Sequence, residues 1–103
     1  MILEVAILTI RPGQEADFEM AFLQAQTIIS AARGYLSRDL QRCIESPSQY
    51  ILLVNWETLE DHTQGFRGSP AYADWKSLLH HFYDPFPRVE HYSGVLPPRR
   101  TST

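Results

Sequence analysis

The chain has one cysteine, Cys43, so no internal disulfide can staple it and the fold must rest on packing. It also lacks a basic excess. Nine Lys and Arg against twelve Asp and Glu leave a net charge of -3, which gives no field to attract a polyanion, and nucleic acid is not an expected partner. The opening stretch MILEVAILTIRPG is too short to span a membrane and has no basic signal-peptide start. The expectation is a cytoplasmic chain without membrane contact. No serine sits in a GxSxG elbow, and no His or Lys beside Cys43 activates it, so hydrolase chemistry has no support. No pair of histidines shows the i, i+4 or short-loop spacing of common metal sites, and no metal ligand is assigned.

What is present is an ordinary globular composition, 44% hydrophobic and 20% charged over 103 residues. That is room for one domain, whose core is marginal at this size and would gain from a partner surface. The domain is placed at residues 1–96. Residues 97–103, which begin Pro97-Pro98 and carry no apolar anchor, are expected to form a flexible tail.

Ile2 to Ile10 is an almost continuous apolar, β-branched run closed by Arg11-Pro12-Gly13, which predicts a buried strand. From Gln14 to Ala32, apolar residues at Phe18, Ala21, Phe22, Ala25, Ile28, Ile29 and Ala32 predict an amphipathic helix stopped near Gly34. Tyr35 to Ile44 alternates, with Leu36 and Leu40 sharing a face with Arg38 and Arg42, and Glu45-Ser46-Pro47-Ser48 links it to a strand over Tyr50 to Trp56. Ser69 and Pro70 predict a helix start, followed by an apolar stripe of Tyr72, Trp75, Leu78, Leu79 and Phe82. After the breaker Asp84-Pro85-Phe86-Pro87, Val89 to Val95 predicts a last edge strand.

The order βαββαβ implies an α+β, ferredoxin-like fold: a four-stranded antiparallel sheet with both helices on one face. In the strand ending at Trp56, Tyr50, Leu52, Val54 and Trp56 fall on one side, and Ile51, Leu53 and Asn55 on the other. Both sides of the sheet then need cover, and since the helices supply one, a homodimer is expected to supply the other.

The segment NWETLEDHTQGFRGSPAYADWKSLLHHFYDPFPRVEHY, residues 55–92, runs from a strand ending in Trp-Glu through a short acidic helix with His62 to a Ser-Pro helix start and a strand with His91. It resembles the antibiotic biosynthesis monooxygenase (ABM) family, whose members pair into dimeric α+β barrels. The resemblance implies a pocket between helices and sheet suited to a small aromatic molecule, phenolic or quinone-forming, and oxygenation without a cofactor. Haem turnover is not implied, because the first strand has Ala6 where that branch relies on an Asn, and the Trp position of that branch falls near Gly65 or Phe66. Non-catalytic binding of a small molecule on the same fold is the competing reading.

Within that pocket, His62 is the candidate base, since an imidazole titrates near neutral pH. Its neighbours Glu60, Asp61 and Thr63 also fit a solvated helix face. Tyr72, near a helix start, is the candidate oxyanion donor. Asn55, Trp56, Phe66, Trp75 and His91 are the candidate substrate-binding residues, Asn55 on the condition that it points at the helices. His80 and His81 are sequential and point about 100° apart on a helix, so both cannot face one small ligand; one of them suits the helix C-terminus.

Overall fold

The structure, a computed structural model, describes residues 1–97. Four strands, β1 (Ile2–Thr9), β2 (Tyr35–Arg42), β3 (Gln49–Trp56) and β4 (Val89–Tyr92), form one antiparallel sheet in the order β2-β3-β1-β4. Helices α1 (Glu15–Ser30) and α2 (Pro70–Leu79) cover one face. Between β3 and α2 lies a π-helical turn, Asp61–Phe66, and a short 3-10 turn, His80–Phe82, follows α2. This is the ferredoxin-like α+β arrangement. Among the described residues, no helix is long and apolar enough to cross a membrane.

Alternation along the strands decides what the helices meet. Ala6 and Leu8 of β1 and Tyr50, Leu52, Val54 and Trp56 of β3 are buried against them. Phe18, Phe22, Ala25 and Ile29 of α1 answer at helical spacing, as do Trp75 and Leu79 of α2. Phe18 meets Tyr50 edge-on at 5.0 Å, and Phe22 meets Trp75 at 5.9 Å, which ties α1 to both sheet and α2. The opposite parity, Leu3, Val5, Ile7, Ile51, Leu53 and Tyr92, lies on the open face of the sheet.

Several element ends differ from expectation for local reasons. Helix α1 stops at Ser30 rather than Ala32 because the N–H groups of Ala31 and Ala32 turn back to Ile28 and Ile29; Gly34, at φ +83°, completes the exit. A Cβ at Gly34 would lie 2.0 Å from Asp61 Oδ2, so the approach of the π turn requires glycine there as well. Strand β2 ends at Arg42, where the Cys43 N–H donates to the Gln49 carbonyl and closes the hairpin. Leu36 does not share a face with Leu40: a register shift between Tyr35 and Ser37 leaves it as the extra, exposed residue of a bulge. Strand β4 stops at Tyr92 instead of Val95, because Tyr92 already pairs with Leu3 and β1 begins one residue earlier. Ser69 occupies the N-cap position of α2, yet its hydroxyl donates to the Phe66 carbonyl rather than capping an N–H. The tail expected over 97–103 lies, beyond Pro97, outside the described residues.

Candidate functional site

Sheet register brings together groups that are far apart in sequence. Glu4 on β1 pairs with Val54 on one side and with His91 of β4 on the other. Trp56 lies diagonally across from Glu4, near enough for its indole N–H to donate to Glu4 Oε1 at 3.0 Å. The π turn then lowers His62 onto this corner: its ring stacks on Trp56 at 5.2 Å with an interplanar angle of 18°. His62 Nδ1 sits 2.7 Å from His91 Nε2, and its Nε2 lies 3.4 Å from Glu4 Oε1. Thr58 holds the start of the turn by accepting the Asp61 N–H.

The corner is dry. His62 is 4% exposed and Glu4 5%. Burial is the main cause that pushes His62 down from an ordinary value near 6.5 to about 3, with the Arg67 and His91 charges adding to it. Burial also raises the Glu4 carboxyl above its ordinary 4.5, against the lowering by the Trp56 hydrogen bond and by Arg67. His91, nearer the surface, is lowered as well, first by burial. A carboxyl pushed up and an imidazole pushed down, within 3.4 Å of each other, form a pair in which a proton rests on the carboxyl and the imidazole stays neutral.

With Glu4 ionised, the arrangement that satisfies every partner puts the His62 proton on Nε2, toward Oε1, and the His91 proton on Nε2, toward His62 Nδ1. When Glu4 gains a proton the pattern reverses. Glu4, His62 and His91 stand in a row rather than round a point, and among the described residues no three such groups are placed to hold a metal ion.

Glu4 and His62 form part of the wall of a cavity of about 360 Å³ between the sheet and α2. Its apolar lining includes Ala6, Leu8, Leu52, Phe66, Trp75 and Val89, and its polar lining adds Arg67, Tyr72, His80 and Tyr83. No buried polar side-chain atom in the described residues lacks a partner. Glu4 Oε2, which makes no hydrogen bond, therefore opens to this cavity. Burial raises the Tyr83 phenol well above its ordinary 10.0, helped by Tyr72 and Glu4, so it remains a donor at any ordinary pH.

The candidate residues separate on this geometry. His62, Tyr72, Phe66 and Trp75 line the cavity. Trp56 does not: fully buried beneath His62, it holds the Glu4 carboxyl. His91 meets His62 from behind and is not part of the cavity wall. Asn55 is a correction, because parity puts it opposite Trp56, on the open face, where its amide donates to Ser37 Oγ at 2.9 Å. The solvated alternative for His62 also fails, since the π turn points His62 and Phe66 inward while Gln64 and Gly65 stay exposed. Glu4 and Arg67 are not among the residues the sequence singles out, whereas Tyr83, one of five tyrosines able to furnish pocket walls and phenolic donors, and His80, weighed for the helix C-terminus, both line the cavity. For Glu4 the available signal was a single carboxylate inside an otherwise apolar strand; nothing local marks Arg67.

The pair also sets a pH dependence of stability. His62 in the folded chain titrates near 3 against an ordinary 6.5, so the stability it contributes is present above 6.5 and is lost as pH falls toward 3. Glu4 has the opposite sign: its contribution is present below 4.5 and lost as pH rises through the raised value. Urea midpoints measured across the acid range should fall less steeply for His62→Gln than for the parent chain. Parallel curves would mean that His62 is not buried neutral.

Comparison with known proteins agrees with this architecture. The family model for antibiotic biosynthesis monooxygenases matches residues 1–78. An uncharacterized Bacillus subtilis (strain 168) protein, YczJ, is 56% identical over 95 residues, which span 92% of this chain and all of that protein. A crystal structure of a candidate antibiotic biosynthesis monooxygenase from Bordetella bronchiseptica superposes with a TM-score of 0.87 at 39% identity, covering 92% of this chain and 97% of that one. SnoaB, a cofactor-independent oxygenase from Streptomyces nogalater, shares the fold with a TM-score of 0.80 at 14% identity, over 93% of this chain and 94% of its own. With a family match over three quarters of its length and close relatives along nearly all of it, the chain belongs to the antibiotic biosynthesis monooxygenase family.

Proposed function

We propose that the cavity oxygenates a small electron-rich aromatic compound, phenolic or quinone-forming, without metal, flavin or haem, in a cytoplasmic homodimer. The observation that carries this reading is the buried Glu4–His62 pair on the wall of an aromatic-lined cavity. A volume of about 360 Å³ is at the small end for ligand sites and suits one to three fused rings.

In the proposed reaction Glu4 Oε2 takes the phenolic or activated C–H proton, being the group whose affinity is shifted toward neutrality. His62, held low, is a poor base alone, and its part is to stay neutral beside the carboxyl, between it and His91, so that the proton remains on Glu4 until the departing oxygen takes it back. Tyr83 and Tyr72 donate to the oxyanion. The electron-rich anion then reduces oxygen: one atom becomes the new carbonyl, the other leaves as water with the two hydrogens the substrate loses, one of them returned by Glu4, and the substrate supplies all four electrons. Glu4, rather than His62, is then the base, and His62 is its partner.

Support for the dimer comes from the open sheet face. Leu3, Val5, Ile7, Ile51 and Leu53 form one apolar surface on β1 and β3, and Ile7 is 42% exposed in the isolated chain. A second copy related by a two-fold axis would cover it. The activity is tested by oxygen uptake of purified protein with a panel of phenols, hydroquinones and hydroxynaphthalenes. Uptake above the uncatalysed rate is expected with at least one bicyclic phenol, and silence across the panel, with tight binding of the same compounds, would favour the non-catalytic reading.

A further inference from the structure

The chain has a net charge of -3, yet one cation without an ion pair lines its cavity and a second stands next to a lining residue. Arg67 lines the cavity and forms no ion pair among the described residues. Lys76, likewise without an ion pair, stands 5.7 Å from the ring centroid of Tyr72, another lining residue. Elsewhere among the described residues Arg11 and Arg42 are paired with Asp84 and Glu19, while Arg33, Arg38 and Arg88 form no ion pair, so it is the place of Arg67 on the cavity wall that sets it apart. The position of Arg67 is built into the backbone. Its N–H donates at 3.1 Å to the carbonyl of His62, five residues back, so one π turn carries both Arg67 and His62, and both side chains reach the same cavity wall. Gly68 then lets the chain leave: a Cβ there would lie 2.5 Å from the Gln64 carbonyl. A π turn that fixes an unpaired arginine at the rim of an aromatic cavity has the form of an anion anchor.

We infer that the substrate is an aromatic acid, a small planar ring system whose carboxylate is held by Arg67 at the cavity mouth while its rings lie against Phe66 and Trp75. A guanidinium fork matches a carboxylate with two parallel hydrogen bonds, and the ring edge opposite the carboxylate is then directed inward to Glu4 and His62. Lys76 adds charge at longer range and steers the anion to the mouth. The inference rests on the oxygenase reading for its substrate, but its test uses binding alone.

The probe is 2-naphthoate, compared with the uncharged isostere 2-naphthamide, titrated calorimetrically into the full chain at neutral pH and low salt. The acid should bind about 10-fold more tightly than the amide, since the arginine is exposed to solvent and its pairing is screened. Arg67→Gln should bring the two within about 2-fold while leaving amide binding unchanged, and Arg67→Lys should keep part of the preference. Equal affinities in the parent chain, binding of neither probe, or an Arg67→Gln variant that weakens both probes alike would overturn the inference. The last outcome would limit Arg67 to offsetting the Glu4 charge. If the acid is preferred but no hydroxynaphthoate is oxygenated, the anion site stands and the oxygenase reading falls. Oxygenation of neutral phenols without any acid preference would have the reverse meaning.

Discussion

Leu53→Asp is expected to leave a folded monomer, and Leu52→Asp an unfolded chain, although the two residues are adjacent in β3. Leu53 belongs to the open face and pairs with Val5 and Asp39. A carboxylate there is solvated in the monomer but becomes an unpaired buried charge once a second sheet closes over it, a penalty of about 3–5 kcal/mol in each subunit. That is enough to raise the dimer dissociation constant by more than about 10²-fold. Leu52 is 3% exposed and packed in the core. Its replacement loses the apolar burial, about 2–5 kcal/mol, and leaves a charge without a partner. The sum consumes most of the total stability of about 5–15 kcal/mol that a domain of this size possesses. Sedimentation velocity at low micromolar concentration, with far-ultraviolet circular dichroism on the same samples, separates the outcomes. If the parent chain sediments as a monomer, or if Leu53→Asp remains dimeric, the open face is not the interface.

The second large effect concerns the acid–base pair. Glu4→Gln preserves the shape of the side chain and its acceptor for the Trp56 N–H, but removes the carboxylate proposed as the base. Oxygen uptake should fall by about 10²-fold or more. His62→Ala should lose a comparable factor, because the carboxyl loses its neutral neighbour and space opens over Trp56. Because the base must be ionised, kcat/KM of the parent chain should rise with pH through the raised Glu4 value, and this rise should vanish in Glu4→Gln. A Glu4→Gln variant with the parent rate and the parent pH profile would acquit the carboxylate and return the role of base to His62 or a tyrosine.

The parts of the molecule that were legible in the sequence are those governed by local periodicity. The alternation of Tyr50 to Trp56 assigns each side chain to a face. The Ser69-Pro70 start and the stripe through Trp75 place α2 over that face, and so Tyr72 and Trp75 reach the cavity wall. The same parity rule excludes Asn55 from the cavity, once Trp56 is known to face the helices.

What stayed hidden depends on register between distant strands and on an unusual winding. Glu4 reads as one polar residue in an apolar strand until antiparallel pairing puts His91 beside it, 87 residues later in the chain. His62 reads as solvated among Glu60, Asp61 and Thr63 until the π turn, wider than an α-helix, changes which residues point inward. The bulge at Leu36 likewise requires a partner strand to exist at all. None of these has a local energetic signature, because each is decided by tertiary packing that overrides propensity.

Isotope partition in the product tests the central claim most directly. Protein freed of metal by chelation and of flavin and haem by partial unfolding and refolding is supplied with a hydroxynaphthoate under isotopically heavy oxygen gas, and the product is analysed by mass spectrometry. One heavy oxygen atom is expected in each quinone and the other in water, at a rate unchanged by the stripping. Product that carries only light oxygen from water, or activity that returns only when a metal, flavin or haem is added back, would contradict it.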